Sequence, residues 1–332
     1  MKKLSNWDAR IGKRVRLRDL HILLIVVQQG SMARAAAHLN VSQPAISDAI
    51  ATLETALGVR LLDRGRKGVE PTAYGRVLLK YGEMAIADLR QGVKEIEFLS
   101  DPAAGELRIG CPDSVVNGPL VPIIECLGRR YPRVRLHVEQ FATPMFEFPE
   151  LEQRKVDLVV ARLNPTHADR GSHIVNVEPL FDERFCVVVG RHSPLARRAK
   201  IKLADLVNER WIMTPAETPG ARAVETVFRD AGLDPPRSII SSFSTFLRCA
   251  MVASGQYVSA VPASVLRLNT DKLCEVPIAL PMPPWPVAVV TLKNHALNPA
   301  ALLFIECARE IAASASSRSA SRVKKQAQPR SG

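Results

Sequence analysis

Residues Ala35 to Glu54 read AAAHLNVSQPAISDAIATLE, and the polar interruption inside this apolar stretch decides the fold of the N-terminal module. Asn-Val-Ser at 40–42 divides two helical patterns. Asn40 tolerates the left-handed backbone that a tight turn needs. Ser42 has the side chain of a helix N-cap, and Pro44 falls in the first turn, where a missing N–H costs little. On the second helix Ile46, Ala49, Ile50, Leu53 and Leu57 form one stripe, which must face a core. Gln43, Pro44, Ser47, Asp48 and Ala51 lie away from it. The pattern is helix, tight turn, helix, with a small polar face on the second helix.

Upstream, Leu20, Leu23, Leu24 and Val27 recur at helical spacing and predict a helix over 17–29. Gly30 ends it, and Ser31 caps an Ala-rich helix over 32–39. Downstream, Gly58 closes the helix pair. VRLLDRGRKGVEPT (59–72) then holds two short extended runs around Arg64-Gly65-Arg66-Lys67-Gly68, the pattern of a β-hairpin with a basic tip. Thr72 caps a helix from Ala73 to about Leu99, whose apolar positions include Leu78, Tyr81, Ala85, Leu89, Ile96 and Leu99. That helix is too long for the module to bury alone. Either a second copy of the chain or the chain's own second domain covers its stripe.

Charge is unevenly placed. Of the formal +12, residues 1–80 carry +8, residues 81–312 carry −1 and residues 313–332 carry +5. A basic compact module beside a neutral body is the electrostatic footprint of a nucleic-acid binder. Residues 1–16 read as a flexible basic arm, and ASASSRSASRVKKQAQPRSG (313–332) reads as a disordered basic tail. No apolar run approaches the roughly 18–20 residues needed to span a bilayer, and the basic N-terminus lacks the apolar stretch of a secretory signal. The expectation is a cytoplasmic protein with no membrane partner. Cys111, Cys126, Cys186, Cys249, Cys274 and Cys307 form no CxxC pair and have no His at ligand spacing. They read as buried small apolar residues, with no metal and no cofactor expected. No Ser-His-Asp order or Gly-rich phosphate loop stands out, so the chain does not read as an enzyme and offers no catalytic residues.

Beyond the hinge-like DPAAGE (101–106) the pattern changes. LRIGC, VRLHVE, DLVVA, RFCVVVG, WIM, SIISS, YVSAV and PVAVVTLK read as strands, and helical stretches near 120–130, 221–231 and 246–254 alternate with them. Alternation of this kind predicts an α/β fold with mostly parallel sheets. Its length suggests two lobes around a cleft.

GSMARAAAHLNVSQPAISDAIATLE (30–54), followed by Leu57-Gly58, Arg64, Pro71-Thr72 and Gly75, resembles the DNA-binding end of LysR-type transcriptional regulators. Helix, turn, helix, wing and linker helix occur in that family's order and spacing. GELRIG (105–110), Tyr131-Pro132, DLVVARL (157–163), HSPLA (192–196) and VPAS (261–264) match landmarks of its effector domain, so the similarity runs from about Leu17 to Ala312. The resemblance implies an α/β protein overall, with an N-terminal all-α winged helix-turn-helix over 17–72 and a long linker helix over 73–100 that pairs subunits. A two-lobed α/β effector domain like the type 2 periplasmic binding proteins would occupy 107–312. Lobe I takes 107–179 and 281–312, and lobe II takes 180–280. The resemblance also implies a dimer of dimers that binds double-stranded operator DNA and switches transcription on binding a small metabolite. RNA polymerase is a further partner if the protein activates. The alternative is an effector-independent DNA-binding repressor whose C-terminal domain only oligomerises.

A recognition helix fits the major groove, where its first turns reach base edges. Gln43 suits an adenine edge, Ser47 donates or accepts, and Pro44 and Ala51 suit a thymine methyl. Ser31, Ser42, Arg34, Arg64, Arg66 and Lys67 are placed for phosphates or, at the wing, the minor groove; pure capping is the other reading of Ser31 and Ser42. Asp48 departs from the basic residue or Gln often found there in the family; it can accept from cytosine N4 or pair with a neighbouring Arg. In the effector domain the resemblance assigns ligand contacts to Ser114, Thr143 and Arg162. Thr214, Ser244, Thr245 and Pro262 face them from the second lobe. An Arg among hydroxyls and helix N-termini favours an anionic, carboxylate-bearing effector. Helix capping is the competing role for Ser114 and Thr143, and a salt bridge is the competing role for Arg162. Tyr257 stands where the family usually has Gly.

Overall fold

The computed structural model describes residues 14–65, 68–101, 104–141, 148–164, 174–278 and 280–326. It divides into two compact units, Met1–Ile96 and Glu97–Gly332.

The first unit is built from α1 (Leu17–Gln29), α2 (Met32–Leu39), α3 (Gln43–Leu57), the hairpin strands β1 (Leu62–Gly65) and β2 (Gly68–Pro71), and most of α4 (Ala73–Ser100). The caps are those the sequence predicts. Ser31 Oγ accepts from the Arg34 amide at 3.5 Å and Ser42 Oγ from the Ala45 amide at 3.4 Å. Asn40 takes the left-handed conformation, with φ 53°. Ile22, Leu23, Val26, Met32, Ala35, Ile46, Ile50, Leu53 and Leu61 share one core. Leu53 is wholly buried, and truncating such a side chain to Ala costs about 2–5 kcal/mol.

The hairpin is tied to the helices at points of close backbone approach. Glu54, at the last turn of α3, accepts from the Leu61 amide at 2.8 Å. Thr72 Oγ1 donates to the Arg60 carbonyl at 2.8 Å and accepts from the Gly75 amide at 3.0 Å. A Cβ on Gly75 would stand 2.1 Å from the Leu61 carbonyl oxygen, so only glycine lets α4 start against the hairpin.

The second unit holds two five-stranded sheets. In chain order its elements are β3 (Ala104–Cys111), α5 (Asp113–Val116), α6 (Leu120–Arg130), β4 (Arg133–Gln140), α7 (Pro149–Glu152), β5 (Leu158–Arg162) and β6 (Val175–Glu183). There follow β7 (Phe185–Gly190), β8 (Trp211–Met213), α8 (Pro219–Asp230), β9 (Ser238–Ser241), α9 (Thr245–Ala253), β10 (Val258–Pro262), α10 (Ala263–Arg267) and β11 (Leu273–Glu275). The last described elements are β12 (Trp285–Leu292) and α11 (Pro299–Gln326). The lobe I sheet has the order β4-β3-β5-β12-β6 and the lobe II sheet the order β11-β7-β10-β8-β9. All of β5 from Leu158 to Ala161 and all of β7 from Cys186 to Gly190 are buried, as expected of central strands covered on both faces.

Four expectations need correction. The sheets are mixed rather than mostly parallel: β3 pairs parallel with β4 and β5, but β12 pairs antiparallel with β5 and β6. In lobe II, β10 is parallel to β8 and antiparallel to β7. The physical reason lies in the links. β6 passes through Arg184 alone into β7 of the other sheet, and β12 returns from lobe II to lie antiparallel between β5 and β6, so its direction is set by the return path rather than by a crossover helix. Second, β6 and β11 lie outside the predicted strands. Both are edge strands; β6 contains Pro179, which an edge tolerates and which hides the strand pattern. Third, the lobes divide at Arg184 rather than 180. Fourth, α11 continues past Ala312 to Gln326 instead of giving way to a disordered tail at 313. Ala313–Gln326 contains neither Pro nor Gly, so nothing in it stops a helix. Among the described residues, no single helix is long and apolar enough to cross a membrane.

Candidate DNA-reading face and effector cavity

In the first unit α3 buries Ile46, Ala49, Ile50 and Leu53 and leaves the opposite side open. Gln43, Pro44, Asp48 and Ala51 are exposed, and Ser47 is half-buried. The structure thus brings the five candidate base-reading residues onto one accessible face of a short helix. Ser31 and Ser42 both act as N-caps, so the capping role holds for each. Arg34 is exposed on α2 and Arg64 on β1. Arg66 and Lys67 lie outside the described residues.

In the second unit a cavity of about 720 Å³ opens between the lobes. Ser114, Arg162, Thr214, Ser244 and Pro262 line it, so five of the seven candidate contacts converge there. Thr245 is buried behind the wall and Thr143 lies outside the described residues. Most of the wall is apolar, including Phe141, Phe148, Phe185, Met213, Phe243 and Trp285.

Arg162 is not a free guanidinium. Its Nε donates to Glu183 Oε2 at 2.5 Å, Nη1 to Ser114 Oγ at 2.9 Å and Nη2 to Ser264 Oγ at 3.0 Å. Glu183 also accepts from the Ser264 amide at 2.7 Å. The side chains of Arg162 and Glu183 are 5% and 2% exposed. Burial lowers the Arg162 pKa, and Glu183 opposes that shift by stabilising the charge. Gly118 makes room for this cluster, since a Cβ there would lie 2.5 Å from Ser264 Oγ. The bonds run from β5 to α10, so Arg162 joins the lobes. A second link joins them where Asp113 Oδ2 accepts from the Thr245 amide, at the start of α9, at 2.5 Å.

One wall residue escapes the sequence reading. Arg248 lines the cavity from α9 and is 3% exposed. Its signal was present: a charged residue at the helical spacing of Thr245, Cys249 and Val252, all of which face inward. Tyr257 packs beneath Arg210, whose guanidinium lies 4.8 Å from the ring centre and donates to the Tyr257 hydroxyl at 3.2 Å. The bulky residue is buried in the lobe II core and is covered by a cation–π contact.

Sequence comparison bears directly on these two sites. Residues 17–76 match the family model "Bacterial regulatory helix-turn-helix protein, lysR family", and residues 100–313 match the model "LysR substrate binding domain". The chain belongs to the LysR family. It is a DNA-binding transcriptional regulator with a substrate-binding domain. This LysR-type regulator is 29% identical over 300 residues to the transcriptional regulator GbpR of Azospirillum brasilense, covering 90% of this chain and 86% of that protein. It is 28% identical over 269 residues to the transcriptional regulator BenM of Acinetobacter baylyi, covering 80% and 86%. Its fold resembles that of full-length CbnR complexed with target DNA, with TM-score 0.64 and 22% identity over 89% of this chain and 99% of that one.

All six cysteines of this LysR-type regulator are free thiols, five of them buried. Burial pushes Cys111 and Cys186 up to about 12, which leaves both protonated at neutral pH.

Proposed function

We propose that this regulator binds operator DNA as a dimer of dimers and switches transcription when a small, carboxylate-bearing metabolite enters the cavity between its lobes. The observation that carries this reading is the cavity itself, roomy, mostly apolar and edged by polar groups from both lobes. Gln43, Pro44, Ser47, Asp48 and Ala51 read base edges. Ser31, Arg34, Ser42, Arg64, Arg66 and Lys67 hold the phosphate backbone. Ser114, Arg162, Thr214, Ser244 and Pro262 border the effector, Thr143 and Thr245 complete the proposed set, and the anionic class is favoured by the guanidinium groups and helix N-termini at the cavity. RNA polymerase is a partner if the regulator activates.

The helix α4 supports subunit pairing. Tyr74, Val77, Tyr81, Leu89, Val93 and Ile96 are each more than half exposed, at steps of three, four or eight residues that keep them on one side of the helix. Such a stripe is stable in water when a second helix covers it.

The effector acts only through its different affinity for two arrangements of the assembly. The test is footprinting and bend-angle measurement on the operator with and without effector, alongside sedimentation of the complex. A footprint or bend that changes at saturation supports the switch. An unchanged footprint, with no saturable ligand binding, favours the effector-independent repressor.

A further inference from the structure

The cavity holds two buried guanidinium groups, and they differ in one respect. Arg162 has its countercharge: Glu183 sits at 2.5 Å, and every nitrogen of the group has a partner. Arg248 has none so close. Among the described residues its one hydrogen bond runs from Nη2 to Thr245 Oγ1 at 3.1 Å. Its Nε is buried without an acceptor. Asp113 is near enough to stabilise its charge, but forms no ion pair with it within 4.0 Å and turns its Oδ2 to the Thr245 amide instead. A cation buried in this way without a paired carboxylate is costly, and an unmade hydrogen bond adds to the cost. An anion in the cavity supplies the missing countercharge.

Resting on the effector reading above, we propose that Arg248 is the charge anchor of the effector and that the effector is a monocarboxylate with an aromatic body. Arg162 borders the site, orients Ser114 and joins the lobes. One carboxylate suffices because one guanidinium lacks a countercharge; Asp113 and Glu217, both on the cavity wall, repel a second. The apolar body follows from Phe141, Phe148, Phe185, Met213 and Trp285, which offer rings and a thioether to the rest of the molecule.

The test uses the full chain, benzoate, phenylacetate and salicylate as probes, and the matching amides as uncharged controls. Thermal midpoint and calorimetric affinity are read for the parent, Arg248→Met and Arg248→Lys. At least one carboxylate is expected to stabilise the parent while its amide does not. Arg248→Met is expected to lose ~30-fold or more in affinity, as truncating one side of a buried charge pair does. Its ligand-free midpoint is expected to equal or exceed the parent's, because the buried charge is gone. Arg248→Lys recovers part of the binding. Equal stabilisation of the parent and Arg248→Met by carboxylates overturns the proposal. So does a ligand-free Arg248→Met midpoint several degrees below the parent that Lys restores, which is the mark of a purely structural arginine. If the amides stabilise the parent and the carboxylates do not, this proposal fails and the effector cavity stands. If no probe of either kind binds, this proposal fails, and the footprint and bend measurements above decide the effector reading separately.

Discussion

At the scale of single residues, the two glycines at points of close approach and the buried ion pair are where one atom decides the outcome. Gly75 faces the Leu61 carbonyl with no space for a Cβ. Gly75→Ala is therefore expected to shift backbone and to destabilise the N-terminal unit by about 1–3 kcal/mol, as overpacking does. A drop of several degrees in the thermal midpoint, with loss of DNA affinity in proportion, is the expected reading. Glu183 offers a sharper contrast. Glu183→Gln leaves Arg162 buried and uncompensated, a change of about 3–5 kcal/mol in comparable pairs. Glu310→Gln breaks the Arg130 pair at 2.5 Å, but that pair is exposed and its loss is expected to leave the midpoint nearly unchanged. Comparable losses in the two variants would mean that the Arg162–Glu183 cluster is not holding the lobes. Gly75 stands in the quoted family pattern and was legible as such, whereas its neighbour across space, Leu61, was not.

At the scale of elements, helix α3 and helix α4 each present one unburied face, and the faces differ in chemistry. Gln43→Ala on α3 is expected to weaken operator binding by about 1–3 kcal/mol and to relax selectivity at one base pair. Arg64→Ala on β1 is expected to weaken binding to all sequences alike and to flatten the salt dependence. Titrations at several salt concentrations on matched and scrambled duplexes distinguish the two; equal, sequence-independent effects would remove Gln43 from the base-reading set. On α4 the exposed stripe is apolar, so Val93→Asp places a charge where a partner helix is expected. Sedimentation should show dissociation toward monomer at concentrations where the parent is associated, and an unchanged mass would locate the subunit contact elsewhere. Every helix boundary in the first unit was legible because caps and apolar spacing agree there. The edge strands β6 and β11 were not, since an edge strand needs neither alternation nor an apolar run.

At the scale of the whole molecule, the chain's own sequence determined its domain order, its helix-turn-helix, the long helix, the central strands and the family. These depend on signals carried within about ten to thirty residues: capping side chains, helical or strand spacing, and runs of charge. The tertiary structure decided the rest. That the lobe I sheet is mixed follows from the chain leaving it after β6 and re-entering it as β12, and strand direction is a property of the path between strands rather than of the strands. That Arg162 is committed to Glu183, Ser114 and Ser264 depends on residues 21, 48 and 102 positions away along the chain. That Arg248 lacks a paired carboxylate also depends on packing, because a charge on the inward face of α9 is visible in the sequence but its partners are not. Local order is written in neighbouring residues. The balance of buried charge, on which the proposed effector's chemistry turns, exists only once distant segments pack together.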